Sequence, residues 1–180
     1  LCFQLDGSLR NSIIKSLKEY REKVLDSIKG KVVEDKWTPV NLNTKVGVNA
    51  FLEEMQELGL VLAKYVINET WIDLSSSTIW FTKSVLTLQC QGLRMASEDM
   101  MEALDDSIYG IFNGRLMLSI GNDSSYAQKN FKFILDTLLP VMLRKYAEER
   151  GYESEKLLTL AHKFGICMAK HNSTKKVASN

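Results

Sequence analysis

The amino-acid sequence predicts an all-α fold, an elongated antiparallel helical bundle of about six helices. Three observations lead there. Apolar residues recur at steps of three and four through most of the 180 residues, the signature of helices that bury one face. Two prolines and ten glycines leave little punctuation for a many-stranded β fold. The single Asp-Gly pair, Asp6-Gly7, stands at the very start. At 45% hydrophobic residues the composition can fill the core of a single domain over 1–180, and a chain of this mass buries roughly 70% of its unfolded surface.

The first helix is predicted from a Ser8 cap to about Lys36. Leu9, Ile13, Leu17, Tyr20, Val24, Ile28 and Val32 form its stripe, widened by Ile14, Leu25 and Val33. It would be ~40 Å long and should stop before Trp37-Thr38-Pro39, because proline disfavours helix at the residue before it. A polar link leads to a second helix over about Val46 to Asn68, with Val48, Phe51, Leu52, Met55, Leu58, Leu62, Tyr65 and Val66 inward. Caps at Ser75-Ser76-Ser77 open a third, reaching about Met95 on Ile79, Phe81, Val85, Leu86, Leu88 and Leu93. Ser97, with Glu98 and Asp99 behind it, starts a fourth that carries Met100, Leu104, Ile108, Ile111, Phe112 and Leu116 to Gly121. The fifth runs from Ser124 to Gly151 with a kink expected at Pro140. Ser154 caps a sixth with Leu157, Leu158, Ala161, Phe164 and Met168 inward, and residues 172–180 read as a flexible tail. No strand is expected.

The same sequence narrows function mostly by exclusion. A net charge of +1 argues against a protein that grips the phosphate backbone of nucleic acid. Charges interrupt every apolar run short of the ~18 residues a transmembrane helix needs. Leu1–Leu5 is too short for a signal-peptide core, and a chain opening on Leu1 reads as part of a longer one. Cys2, Cys90 and Cys167 form no CxxC or CxxH pair, which speaks for inert thiols and against zinc. The sequons at Asn68, Asn122 and Asn172 are the one hint of secretion. His162 and His171 lack the preceding carboxylate of a di-metal helix motif. Glu53-Glu54 and Asp105-Asp106 are adjacent, so their carboxyls diverge on a helix. No phosphate-binding loop, nucleophile elbow or metalloprotease motif occurs, so neither an enzyme nor a cofactor is expected.

Two features are candidates for partner binding. Ala103, Ser107, Gly110 and Gly114 make a small-residue stripe on the fourth helix, where each glycine costs ~1 kcal/mol of helix propensity. Close approach of another helix, from this domain or from a partner, would offset that cost. Trp71, Trp80 and Phe81 form an aromatic cluster whose default place is the core, and any of them left exposed would suit a partner's hot spot.

Two stretches resemble the helical-rod subunits of multisubunit vesicle tethers, the exocyst and Golgi-associated retrograde class. One runs from Tyr20 through Arg-Glu-Lys-Val-Leu-Asp-Ser-Ile to Lys29 and on to Glu34-Asp-Lys-Trp37. The other is Tyr126 to Tyr152, with Asn130-Phe131, Thr137-Leu138-Leu139-Pro140 and a basic, aromatic finish. The resemblance implies stacked helices, sibling subunits as partners, and contacts with SNAREs or small GTPases. It also implies a cytoplasmic place, peripheral at most on Golgi, endosomal or plasma membranes, and no active site. A helical domain that binds a small ligand in a closed apolar pocket would suit the seven methionines. A secreted bundle would suit the sequons but not three widely spaced cysteines.

Overall fold

The computed structural model describes residues 2–95 and 97–165. Met168, Cys167, His171, the Asn172 sequon and the 172–180 tail lie outside the described residues. Within them the chain forms six helical rods and one small sheet, so the all-α reading holds in the main and several of its details change.

α1 (Cys2–Glu34) begins at Cys2 rather than at a Ser8 cap. Gly7 sits inside it, where a helical glycine costs only ~1 kcal/mol, and the helix reaches ~50 Å. It stops ahead of Pro39 as expected. There Asp35 takes over: its Oδ1 accepts the Trp37 N–H at 2.8 Å. Its Oδ2 accepts the Ser77 backbone N–H at 3.0 Å and the Ser77 hydroxyl. Ser77 lies in the first turn of α3 (Ser76–Met95), so one carboxylate ends α1 and caps an orphan donor of α3.

α2 (Lys45–Glu57) opens on Thr44, whose hydroxyl accepts the Gly47 N–H at 2.9 Å. The expected continuation to Asn68 does not occur. Gly59 adopts φ +93°, Gly59 N–H bonds to Gln56 O and Leu60 N–H to Met55 O, each at 2.9 Å. That is a Schellman stop, and buried Leu60 packs behind it. After a 3-10 turn at Ala63–Tyr65, a three-stranded antiparallel sheet stands where no strand was expected. Its strands are β1 (Val40–Asn41), β2 (Val66–Ile67) and β3 (Trp71–Ile72), in the order β1-β3-β2. The β2–β3 turn places Asn68 at φ 49° and Glu69 at φ 64°. Val40 and Val66 flank Ile72 on the inner face, and Asn41 and Ile67 flank Trp71 on the outer.

α4 (Glu98–Ser119) has Ser97 at its N-cap position, without a side-chain capping bond. α5 (Ser125–Phe133) is capped by Ser124, which accepts from the Ala127 N–H. The kink expected at Pro140 takes the form of one widened turn over Ile134–Leu138, where the Leu139 N–H reaches back five residues to Ile134 O. α6 (Leu139–Arg150) then starts with Pro140 in its first turn, directly after the widened turn, and ends on Gly151 at φ 79°. α7 covers residues 155–165, with Ser154 Oγ accepting the Leu157 N–H at 3.4 Å.

The core joins these rods through edge-on aromatic pairs: Phe81 on Phe112 at 5.1 Å, Tyr65 on Phe133 at 5.2 Å and Phe131 on Phe164 at 6.3 Å. α1 packs along α4 more extensively than any other pair of elements. The small-residue stripe allows it: a Cβ on Gly110 would lie 3.0 Å from Arg21 Cδ, and one on Gly114 would lie 2.5 Å from Leu25 Cδ2. α3 approaches α4 as closely, since a Cβ on Gly92 would fall 2.6 Å from Leu104 Cδ1 and 2.7 Å from its Cδ2.

The two approaches respond differently to an added methyl. Gly110→Ala meets a flexible Arg21 methylene, and the helix gains up to ~1 kcal/mol, so its melting temperature should rise. Gly92→Ala meets both methyls of fully buried Leu104, and overpacking costs about 1–3 kcal/mol, so its melting temperature should fall. Thermal unfolding followed by circular dichroism reads both signs.

Candidate interaction surface

The five residues singled out for partner binding separate cleanly. Phe81 is fully buried against Phe112, so it belongs to the core and presents nothing to a partner. Trp80 is half-buried, with the Lys31 ammonium 5.1 Å from its ring centroid, a cation–π contact between α3 and the end of α1. Gly110 and Gly114 face α1 of the same chain. The glycine half of the stripe is therefore filled from within the domain, whereas Ala103 and Ser107 line a small cleft beside Ile14, Lys18 and Arg21. Trp71 alone stays markedly open, at 38% exposure on the outer face of the sheet beside Ile67.

The larger open surface lies elsewhere. The first half of α1 and the second half of α3 enclose a groove of about 600 Å³, lined by Leu9, Ile13, Leu17 and Tyr20 from one side and Thr87, Leu88 and Gln91 from the other. Leu9 is 61% exposed, Ile13 37% and Tyr20 42%. The apolar spacing predicts these residues on the buried stripe of the first helix, and the structure corrects that. Val24 and Ile28 are buried, while the stripe toward the N-terminal half opens outward. Only α3 supplied a signal that one of its sides faces something other than the core, because its sole charged residues are Lys83 and Arg94.

A second cleft, of about 340 Å³, is acidic. Glu98, Glu102, Asp105, Glu153 and Glu155 line it with Lys156, Met101, Tyr146 and Tyr152. Asp105 is its structural centre. It accepts the Tyr146 hydroxyl at 3.1 Å and the Ser154 hydroxyl at 3.3 Å, joining α4 to α6 and to the cap of α7. Burial raises the Asp105 carboxyl above its ordinary value, outweighing the two hydrogen bonds and Lys156. Neighbouring Asp106 pairs with Lys156, so the adjacent aspartates serve two separate helix contacts and form no acid–base pair. His162 is exposed on α7. Among the described residues no group of three His, Cys, Asp or Glu is placed to hold a metal, and no helix is long and apolar enough to cross a membrane.

Arg115 is the most deeply buried cation. Its Nη1 donates to Ser119 Oγ at 2.7 Å and its guanidinium lies 5.8 Å from the Trp37 ring centroid. Burial lowers it to about 10, with Asp35 opposing the shift, so it remains a cation at neutral pH. Arg115 and Asp35 thus place opposite charges at the junction of α1, α3 and α4.

Fold and surface together define a predominantly all-α domain with an open apolar groove. Along 98% of its length the chain is similar to exocyst complex component 8, being 24% identical over 186 aligned residues to the rat and mouse proteins and 23% to the human one. The likeness to tether subunits thus extends over nearly the whole chain. The chain spans about a quarter, 26%, of the length of those relatives. No protein-family model and no solved structure matches it.

Asp105 makes a pH prediction whose sign is fixed. A carboxyl raised in the folded state favours folding when protonated, so this contribution grows as pH falls through the raised value and is complete below the unfolded value of ~3.9. Relative to Asp105→Asn, the wild-type chain should gain stability between neutral pH and about pH 4. Urea melts of the two proteins across that range measure the difference. A difference independent of pH would contradict it.

Proposed function

We propose that this chain is a non-catalytic helical segment of a vesicle-tethering complex subunit of the exocyst type, and that it acts by holding other subunits against its helix faces. The observation that carries this reading is similarity to exocyst complex component 8 over nearly the entire chain. An open apolar groove on a well-packed bundle supports it, since such a surface is what a protein–protein contact requires. The acidic cleft and the exposed Trp71 offer further contact points. On this reading the partners are sibling subunits first, with SNAREs or small GTPases as transient ones. The protein works on the cytoplasmic face of Golgi, endosomal or plasma membranes, as a peripheral component.

Affinity purification of the full-length parent from cells tests this reading. A stoichiometric set of other helical trafficking subunits is the expected recovery. A parent that purifies alone, or with a small molecule in a closed pocket, would contradict it and favour a ligand-binding bundle.

A further inference from the structure

The groove between the first half of α1 and the second half of α3 is specific in what it can accept. We propose that it seats one amphipathic α-helix of another subunit, with acidic residues flanking that helix's apolar stripe. The inference rests on the tethering role for the source of the helix. Its form comes from the groove.

Both walls are helices. Lys31 meets Trp80 at one end, and Leu9–Tyr20 meet Thr87–Gln91 at the other, so α1 and α3 run antiparallel. Their backbone groups are satisfied within each helix, and the groove has no sheet edge to offer. A segment entering it must therefore satisfy its own backbone hydrogen bonds, which a helix does. Residues 9–20 run ~17 Å, three turns of a docked helix. Leu9, Ile13, Leu17, Tyr20 and Leu88 would receive its apolar side chains.

The rim decides the charge of the occupant. α3 carries Lys83 and Arg94 and no acidic residue. Lys83 pairs with Glu54 of α2 at 3.1 Å, away from the groove, whereas exposed Arg94 lies one turn beyond Gln91. On α1, Lys15 and Glu19 stand 4.0 Å apart and offset one another, and exposed Lys23 lies one turn beyond Tyr20. Each end of the groove thus carries a cation, and acidic flanks on the incoming helix complement them. A second copy of this chain would bring the same positive rim, and a flat bilayer cannot fill a concave slot between two helices.

Photo-cross-linking in the assembled complex tests the proposal, with p-benzoylphenylalanine replacing Ile13 or Leu88 in the full-length parent. Both positions should capture the same segment of one other subunit, with apolar residues at steps of three and four beside Asp or Glu. Capture of a second copy, of lipid, or of a basic or non-helical segment would overturn the proposal, as would no capture from an intact complex. Ile13→Glu, and Lys23→Glu with Arg94→Glu, should each reduce recovery of that subunit about tenfold at an unchanged melting temperature. The double variant's deficit should shrink with added salt. Full retention by both variants overturns the groove assignment, while the tethering role stands so long as the wild-type parent recovers its siblings. A wild-type parent that recovers no siblings overturns the tethering role instead. Binding of the 180-residue chain to phosphatidylserine–phosphatidylcholine vesicles, abolished by Ile13→Glu, would assign the groove to a membrane and overturn the proposal.

Discussion

The open apolar groove of this fold depends on how closely α1 and α3 approach α4. Glycines make both approaches possible. Gly110 and Gly114 let α1 lie against α4 through Arg21 and Leu25, and Gly92 on α3 admits Leu104 of α4. Each approach fixes the rotation of a helix as well as its distance. With Arg21, Leu25 and Ile28 turned toward the bundle, Leu9, Ile13 and Tyr20 are carried around to face α3 and solvent. The groove is therefore a consequence of packing around α4, set by three glycines that lie outside it. Walls packed in this way would present a preformed surface to a docking helix and lower the ordering cost of association.

Polar anchors fix the ends of the same helices. Asp35 binds the Trp37 N–H on one oxygen and the first turn of α3 on the other, and buried Arg115 adds charge balance from α4. Asn130 of α5 reaches the same region, accepting the Ser75 N–H at 2.9 Å. At the opposite end Asp105 joins α4, α6 and the cap of α7. The paired groups among these, on Asp35, Asn130 and Asp105, stabilise one arrangement over its neighbours because a shift would leave them unpaired, whereas Arg115 keeps Nε and Nη2 buried without a hydrogen-bond partner.

The legible part of the fold was its periodicity. Stripes such as Ile79 to Leu93 and Leu104 to Leu116 define helices wherever they are placed, and Gly151 and the Pro39 boundary acted locally as expected. The hairpin was not legible, because two-residue strands carry no alternating pattern and its left-handed turn uses Asn68 and Glu69 in place of glycine. The end of α2 had its marker in Gly59, but the apolar spacing from Leu58 to Val66 ran past it and imitated a longer helix. The aromatic cluster could not be divided from sequence, since only tertiary packing sends Phe81 inward and leaves Trp71 open. The groove was hidden for a related reason. A stripe from Leu9 to Val32 reads the same whether its own chain or another covers it.

If the groove seats a partner's helix, the outward face of α1 is open in the isolated chain and covered in the assembly. Hydrogen exchange of the amides of residues 9–20, compared between the isolated chain and the purified complex, tests this most directly. Rapid exchange is expected in the isolated chain, where the helix is supported from one side, and strong protection on assembly. Equal exchange in the two states would contradict it and leave the groove as solvent-exposed surface.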